Sequence, residues 1–115
     1  MLLMGKVAMI TGGGKGIGRV IAQRFAREGA DLVLLARTAQ ALEEVAAEAR
    51  SLGRRALVFP GDASQEEIVE EAVNQTVAAL GQIDILVNNT GIEGPNSPIE
   101  GISRADWDHT MAVNL

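Results

Sequence analysis

Two features of this sequence could do chemistry. The first is TGGGKGIG, Thr11 to Gly18, with five glycines in eight residues. Each glycine costs conformational entropy on folding, so a run of them calls for a reason. Glycines let a backbone approach a ligand closely, and a helix starting inside the run would add free N–H groups and a partial positive charge. A pyrophosphate fits such a place. The spacing is Gly12-x-x-x-Gly16-x-Gly18, with Gly14 and Ile17 between, and it differs from the common G-x-G-x-x-G. It is also not a Walker A loop, because Gly16 follows Lys15 where that motif has Ser or Thr. The second feature is Arg37, followed by Thr38, about twenty residues past the loop. An acid there would take the 2′-hydroxyl of NAD. A guanidinium would instead pair with a 2′-phosphate through two parallel hydrogen bonds, and Lys15 could add a second cation.

These residues need elements to position them. Val7-Ala8-Met9-Ile10 is an apolar run that leads straight into the glycines. Ile17, Val20, Ile21 and Phe25 then fall at helical spacing up to Gly29. Leu32 to Leu35 is a second run, after which Thr38 can cap a helix with Leu42, Val45, Ala46 and Ala49 on one face, ending near Gly53. Ala56 to Phe59 is a third run. Ser64 stands three residues before Glu67, the spacing of a capping box. The helix it would open presents Ile68, Val69, Ala72, Val73, Val77 and Leu80, and Gly81 closes it. Ile83 and Ile85-Leu86-Val87 make a fourth run. A loop over 88–101 and a last helix starting near Ser103 or Asp106 complete the reading.

The pattern is β-α-β-α-β-α-β, then loop and helix. Strands this apolar suit a parallel sheet covered on both faces. The expected fold is an α/β, Rossmann-like doubly wound sheet of about four strands in the order 3-2-1-4. The glycine loop then lies at the carboxyl ends of the strands, where such sheets bind ligands.

Composition narrows the function. The 115 residues suit one domain that buries about 65% of its unfolded surface. Net charge is −5, there is no basic stripe, and aromatic residues are 3%, which argues against nucleic acid. No apolar run reaches the roughly 20 residues of a membrane span, and MLLM is too short for a signal peptide. A cytoplasmic protein without membrane partners is expected. Cysteine is absent, and the single His109 has no second ligand beside it, so no metal site is expected.

The segments TGGGKGIG, GDAS (Gly61 to Ser64), DILVNNTG (Asp84 to Gly91) and WDHTMAVNL resemble the motifs of the short-chain dehydrogenase/reductase superfamily over the whole chain. Thr90 stands where that family usually has alanine, and adds a hydroxyl beside the cofactor groove. The resemblance implies a nicotinamide cofactor, with Asp62 at the adenine amino group, Ala63 beside the ring, and Asn88 and Gly91 bordering a ribose. It implies hydride transfer between nicotinamide and a carbonyl or alcohol carbon, with 3-oxoacyl-thioester reductases as one subgroup. It also implies a small-molecule substrate. Separately, the run Ile83 to Val87 would form an open edge interrupted only by Asp84, and such an edge is expected to recruit another copy of the chain as a homo-oligomer.

The family's catalytic set is Tyr, Lys, Ser and Asn. This sequence has no tyrosine, and its lysines and serines stand elsewhere; Asn114 alone matches. Residues 1–115 are therefore expected to be the dinucleotide-binding portion of one domain, ending before the catalytic segment and inactive alone. NADP(H) is favoured over NAD(H) on Arg37, against the alternative that Arg37 merely opens a helix into solvent. Two other readings stay open: a non-catalytic nucleotide-binding module, and an assembly fragment that needs a partner chain.

Overall fold

The computed structural model describes residues 1–12 and 16–88. Four parallel strands form one sheet: β1 (Val7–Thr11), β2 (Asp31–Ala36), β3 (Ala56–Pro60) and β4 (Ile85–Asn88). Between them run the helices α1 (Gly16–Arg27), α2 (Ala39–Ser51) and α3 (Glu66–Leu80). The order across the sheet is β3-β2-β1-β4, as the alternation of apolar runs and helical patterns implied. The loop and helix expected over 88–115 lie outside the described residues, apart from Asn88, which ends β4. Among the described residues no helix is long and apolar enough to cross a membrane.

Successive strand side chains point to opposite faces, and this divides the core in two. Ala8, Ile10, Leu32, Leu34 and Val87 face α1 and α2 with Leu42, Val45, Ala46 and Ala49. Val7, Met9, Val33, Leu35 and Leu86 face α3 with Val69, Ala72 and Val73. Every residue of β1 is buried. An apolar side chain covered this way contributes about 1.5–3 kcal/mol relative to exposure, so β1 anchors both layers.

The face of α1 differs from the expected one. Its buried residues are Gly18, Ala22 and Ala26, four apart. Ile21 and Phe25 pack at the margin of the core, but Ile17 and Val20 are 71% and 63% exposed. A row of small residues lets a helix settle close to the sheet, which pushes the larger side chains to its flank. Arg19 ties α1 to α2 through Glu44 at 3.3 Å and Glu48 at 3.0 Å.

The two expected helix caps also differ. Thr38 occupies the N-cap of α2, but its side chain makes no capping bond. The cap of α3 is Gln65, again with no side-chain bond. The Ser64–Glu67 capping box does not form, because the Ser64 hydroxyl is donated to Asp62 instead, 2.6 Å away.

Candidate functional site

Strand register brings the site together. Thr11 lies opposite both Leu35 and Asn88, and Ala36 lies opposite Pro60. The carboxyl ends of all four strands therefore reach one edge of the sheet. The segments that leave them begin at Gly12, Arg37, Gly61 and, after β4, residue 89.

At the centre of that edge Gly12 turns the chain with φ +69°. An L-residue with a side chain rarely adopts this conformation. The Gly12 N–H donates to the Leu35 carbonyl at 2.8 Å, which extends the β1–β2 ladder one step before the chain departs. Gly16, the first residue of α1, is also left-handed at φ +54° and exposed. Ile17 projects beside it into solvent, while Gly18 is buried against the core. Gly14 and Lys15 lie outside the described residues.

On the β4 side, the Thr11 hydroxyl is fully buried. It reaches Asn88 Oδ1 at 3.2 Å and the Val87 carbonyl at 3.4 Å. Asn88 is half-buried. This link joins the first residue of the glycine motif to the first asparagine of the later one. Neither residue's role in the other's placement is visible in the sequence; only the β1–β4 register shows it. Thr90, Gly91 and Asn114 lie outside the described residues.

On the β2–β3 side the groups are charged and open to water. Arg37 follows β2 with its side chain 77% exposed, and its Nη2 lies 3.1 Å from Asp62 Oδ2. The other carboxylate oxygen, Oδ1, accepts from the Ser64 hydroxyl at 2.6 Å and from the Ser64 N–H at 2.9 Å. The Ser64 hydroxyl, then its amide, hold the Asp62 carboxyl below the ordinary Asp value of 3.8; partial burial opposes them, and the Arg37 charge adds to them. Thr38 is exposed beside Arg37. Ala63 is buried in the α3-side core, so it can offer a ligand only main chain. Gly61 N–H donates to the Ala36 carbonyl at 2.8 Å, and a Cβ there would come within 2.9 Å of Ile68.

Asp31 sits at the opposite end of β2, where it pairs with Arg55 at 2.8 Å. It is therefore remote from the ligand edge. A groove of about 210 Å³ between α1 and α2, lined by Gln23, Arg27, Glu48 and Ser51, is also remote from the strand ends; its floor of Ala22, Ala26 and Val45 belongs to helix packing. Among the described residues no cluster of His, Cys, Asp and Glu could hold a metal ion.

The arrangement suits a dinucleotide. A left-handed glycine turn, a cation at the end of β2, and a carboxylate with a lone pair to spare line one edge. The Asp62 oxygens have about four acceptor sites, of which three are taken. One more donor, such as an exocyclic amine, can be accommodated.

Comparisons agree with this geometry. The family model described as short chain dehydrogenase matches residues 6–115. The short-chain dehydrogenase/reductase eriH of Hericium erinaceus is 50% identical over 113 residues, covering 95% of this chain and 44% of its own length. A hydroxysteroid dehydrogenase from Escherichia coli shares 41% identity at a TM-score of 0.73, with 81% of this chain and 40% of that one superposed. A metagenomic short-chain oxidoreductase solved in complex with NADP shares 34% identity at a TM-score of 0.74, over 96% of this chain and 50% of that one. The chain spans less than half the length of the curated relatives it matches.

Proposed function

This chain belongs to the short-chain dehydrogenase family, and from that membership we propose that residues 1–115 form the dinucleotide-binding part of an NADP(H)-dependent oxidoreductase. The cofactor, when bound, supplies or accepts a hydride at a carbonyl or alcohol carbon of a small substrate. The observation that carries the cofactor choice is Arg37, a 77% exposed guanidinium at the end of β2, the position where an acid would select NAD. The NADP complex of a relative at 34% identity supports the same choice.

Each residue has a part in this reading. Gly12 and Gly16 let the main chain turn toward the pyrophosphate, and the first turn of α1 offers it N–H groups. Gly14, Lys15, Ile17 and Gly18 belong to the same loop and helix start. Arg37 pairs with the 2′-phosphate, Thr38 stands next to it, and Asp62 accepts from the adenine amino group. Asn88 and Gly91 border a cofactor ribose, and Thr90 adds a hydroxyl beside the cofactor groove. Asn114 is the one member of the family's catalytic set in this sequence. With no tyrosine among its residues, the 115-residue chain by itself lacks the proton donor, and the intact protein is expected to be a homo-oligomer.

Calorimetric titration of the intact protein tests the cofactor assignment. Arg37→Asp is expected to weaken NADP(H) by at least about tenfold, the value of one charge-assisted hydrogen bond, with NAD(H) nearly unchanged. Equal losses for the two cofactors would refute it.

A further inference from the structure

Arg37 is an exposed side chain on a surface strand end, and an arginine so placed normally wanders among rotamers at little cost. In this structure it does not stand alone. Its Nη2 is bonded to Asp62 Oδ2, across the gap between the end of β2 and the loop after β3. Asp62 is in turn held from its other oxygen by both the hydroxyl and the amide of Ser64. The two carboxylate oxygens thus have separate duties. Oδ1 fixes the carboxylate to its own loop, and Oδ2 fixes the guanidinium to the carboxylate.

A guanidinium has five N–H donors in a rigid plane. One is directed to Asp62 here, and among the described residues Arg37 has no other partner. Nη2 carries a second N–H, which forms a fork with Nε or with Nη1 on the side that Asp62 leaves open, and such a pair grips a phosphate through two bonds. Holding the plane by one corner costs the fork nothing and removes rotational freedom that a phosphate would otherwise have to quench.

We propose that Asp62 and Ser64 are positioning residues for 2′-phosphate recognition: Ser64 clamps Asp62, Asp62 holds the Arg37 plane, and the preference for a 2′-phosphorylated ligand depends on all three. This rests on the reading of Arg37 given above. It adds to Asp62 a second duty besides the adenine contact and takes Ser64 out of the helix cap. The carboxylate also repels an incoming phosphate, but the Arg37 charge lies between the two anions and nearer to each than they lie to one another, so the attraction outweighs the repulsion. The lowered pKa of Asp62 keeps the carboxylate charged throughout the neutral range.

The test uses 2′,5′-ADP and 5′-AMP, which differ only in the 2′-phosphate, titrated into the intact protein by calorimetry, with circular dichroism to check folding. The ratio of the two affinities cancels the adenine contact. Arg37→Ala is expected to abolish the preference. Asp62→Asn should lower it by about two- to fivefold, the range of an exposed ion pair. Ser64→Ala should lower it about twofold, and Ser64→Thr should restore it. In an Arg37→Ala background, Asp62→Asn should leave the ratio unchanged. If Arg37→Ala abolishes the preference while Asp62→Asn leaves or raises it, the positioning role is overturned and the cofactor assignment stands. If Arg37→Ala leaves the preference intact, or neither nucleotide binds, both are overturned. Should Asp62→Asn not fold, the exposed Ser64 decides the matter alone.

Discussion

The two corners of the candidate site are built on different physics. At the β1–β4 corner, Thr11 is buried completely and bonds neutral partners, Asn88 and the Val87 carbonyl. At the β2–β3 corner, Arg37 and Asp62 carry full charges at 77% and 29% side-chain exposure. Buried polar groups are costly to leave unpaired, so the first corner bears on whether the sheet forms. Exposed ion pairs contribute little to folding, about 0–1 kcal/mol, so the second corner is free to serve recognition. Architecture can therefore be altered separately from the cofactor selectivity proposed for the charged corner, although both lie on one sheet edge.

The substitution with the largest expected effect strikes between the corners. Gly12→Val forces a β-branched residue into a backbone at φ +69°, which costs on the order of 2–3 kcal/mol. Chemical denaturation should show that loss, and calorimetry should show NADP+ and NAD+ weakened alike. A variant of undiminished stability and affinity would mean that the turn neither needs glycine nor meets a ligand.

Thr11→Val keeps the side-chain shape and deletes the hydroxyl. We expect about 1–2 kcal/mol lost from folding, with faster hydrogen exchange concentrated in β4 and the NADP-to-NAD preference unmoved. A changed preference with intact stability would erase the distinction between the corners.

Ser64→Ala has the smallest expected effect. Asp62 titrates below 3.8 in the folded protein. The stability it lends is therefore present above that value and is lost as pH falls through its lowered pKa. Removing the Ser64 hydroxyl, the leading cause, should move the carboxyl titration followed by NMR upward toward 3.8 without a measurable change in folding at neutral pH. An unmoved titration would place the cause elsewhere.

The sequence showed the sheet and the charged corner better than the buried one. Four apolar runs separated by helical patterns left few alternatives to the order β3-β2-β1-β4. Arg37 is conspicuous because it stands where an acid would select NAD. Periodicity points to the wrong face of α1 because it rewards large apolar residues such as Ile17 and Val20, whereas the packing here is set by how closely Gly18, Ala22 and Ala26 let the helix approach. The spacing of Ser64 to Glu67 is that of a cap, but Asp62, two residues upstream, competes for the same hydroxyl and takes it. Thr11 and Asn88 are 77 residues apart, and nothing local in either segment announces the other.

That separation has a consequence for how the chain comes together. The parallel partner of Met9 in β2 is Val33, but its partner in β4 is Leu86. Closing the longer span from an open coil surrenders about 1 kcal/mol more chain entropy than closing the shorter one. The helices formed in between reduce that burden, since they consume slack before β4 arrives. The nearer strands have less to overcome. The charged corner thus takes shape on a span of chain that is cheap to close, while the buried corner waits for the most distant pairing in the sheet.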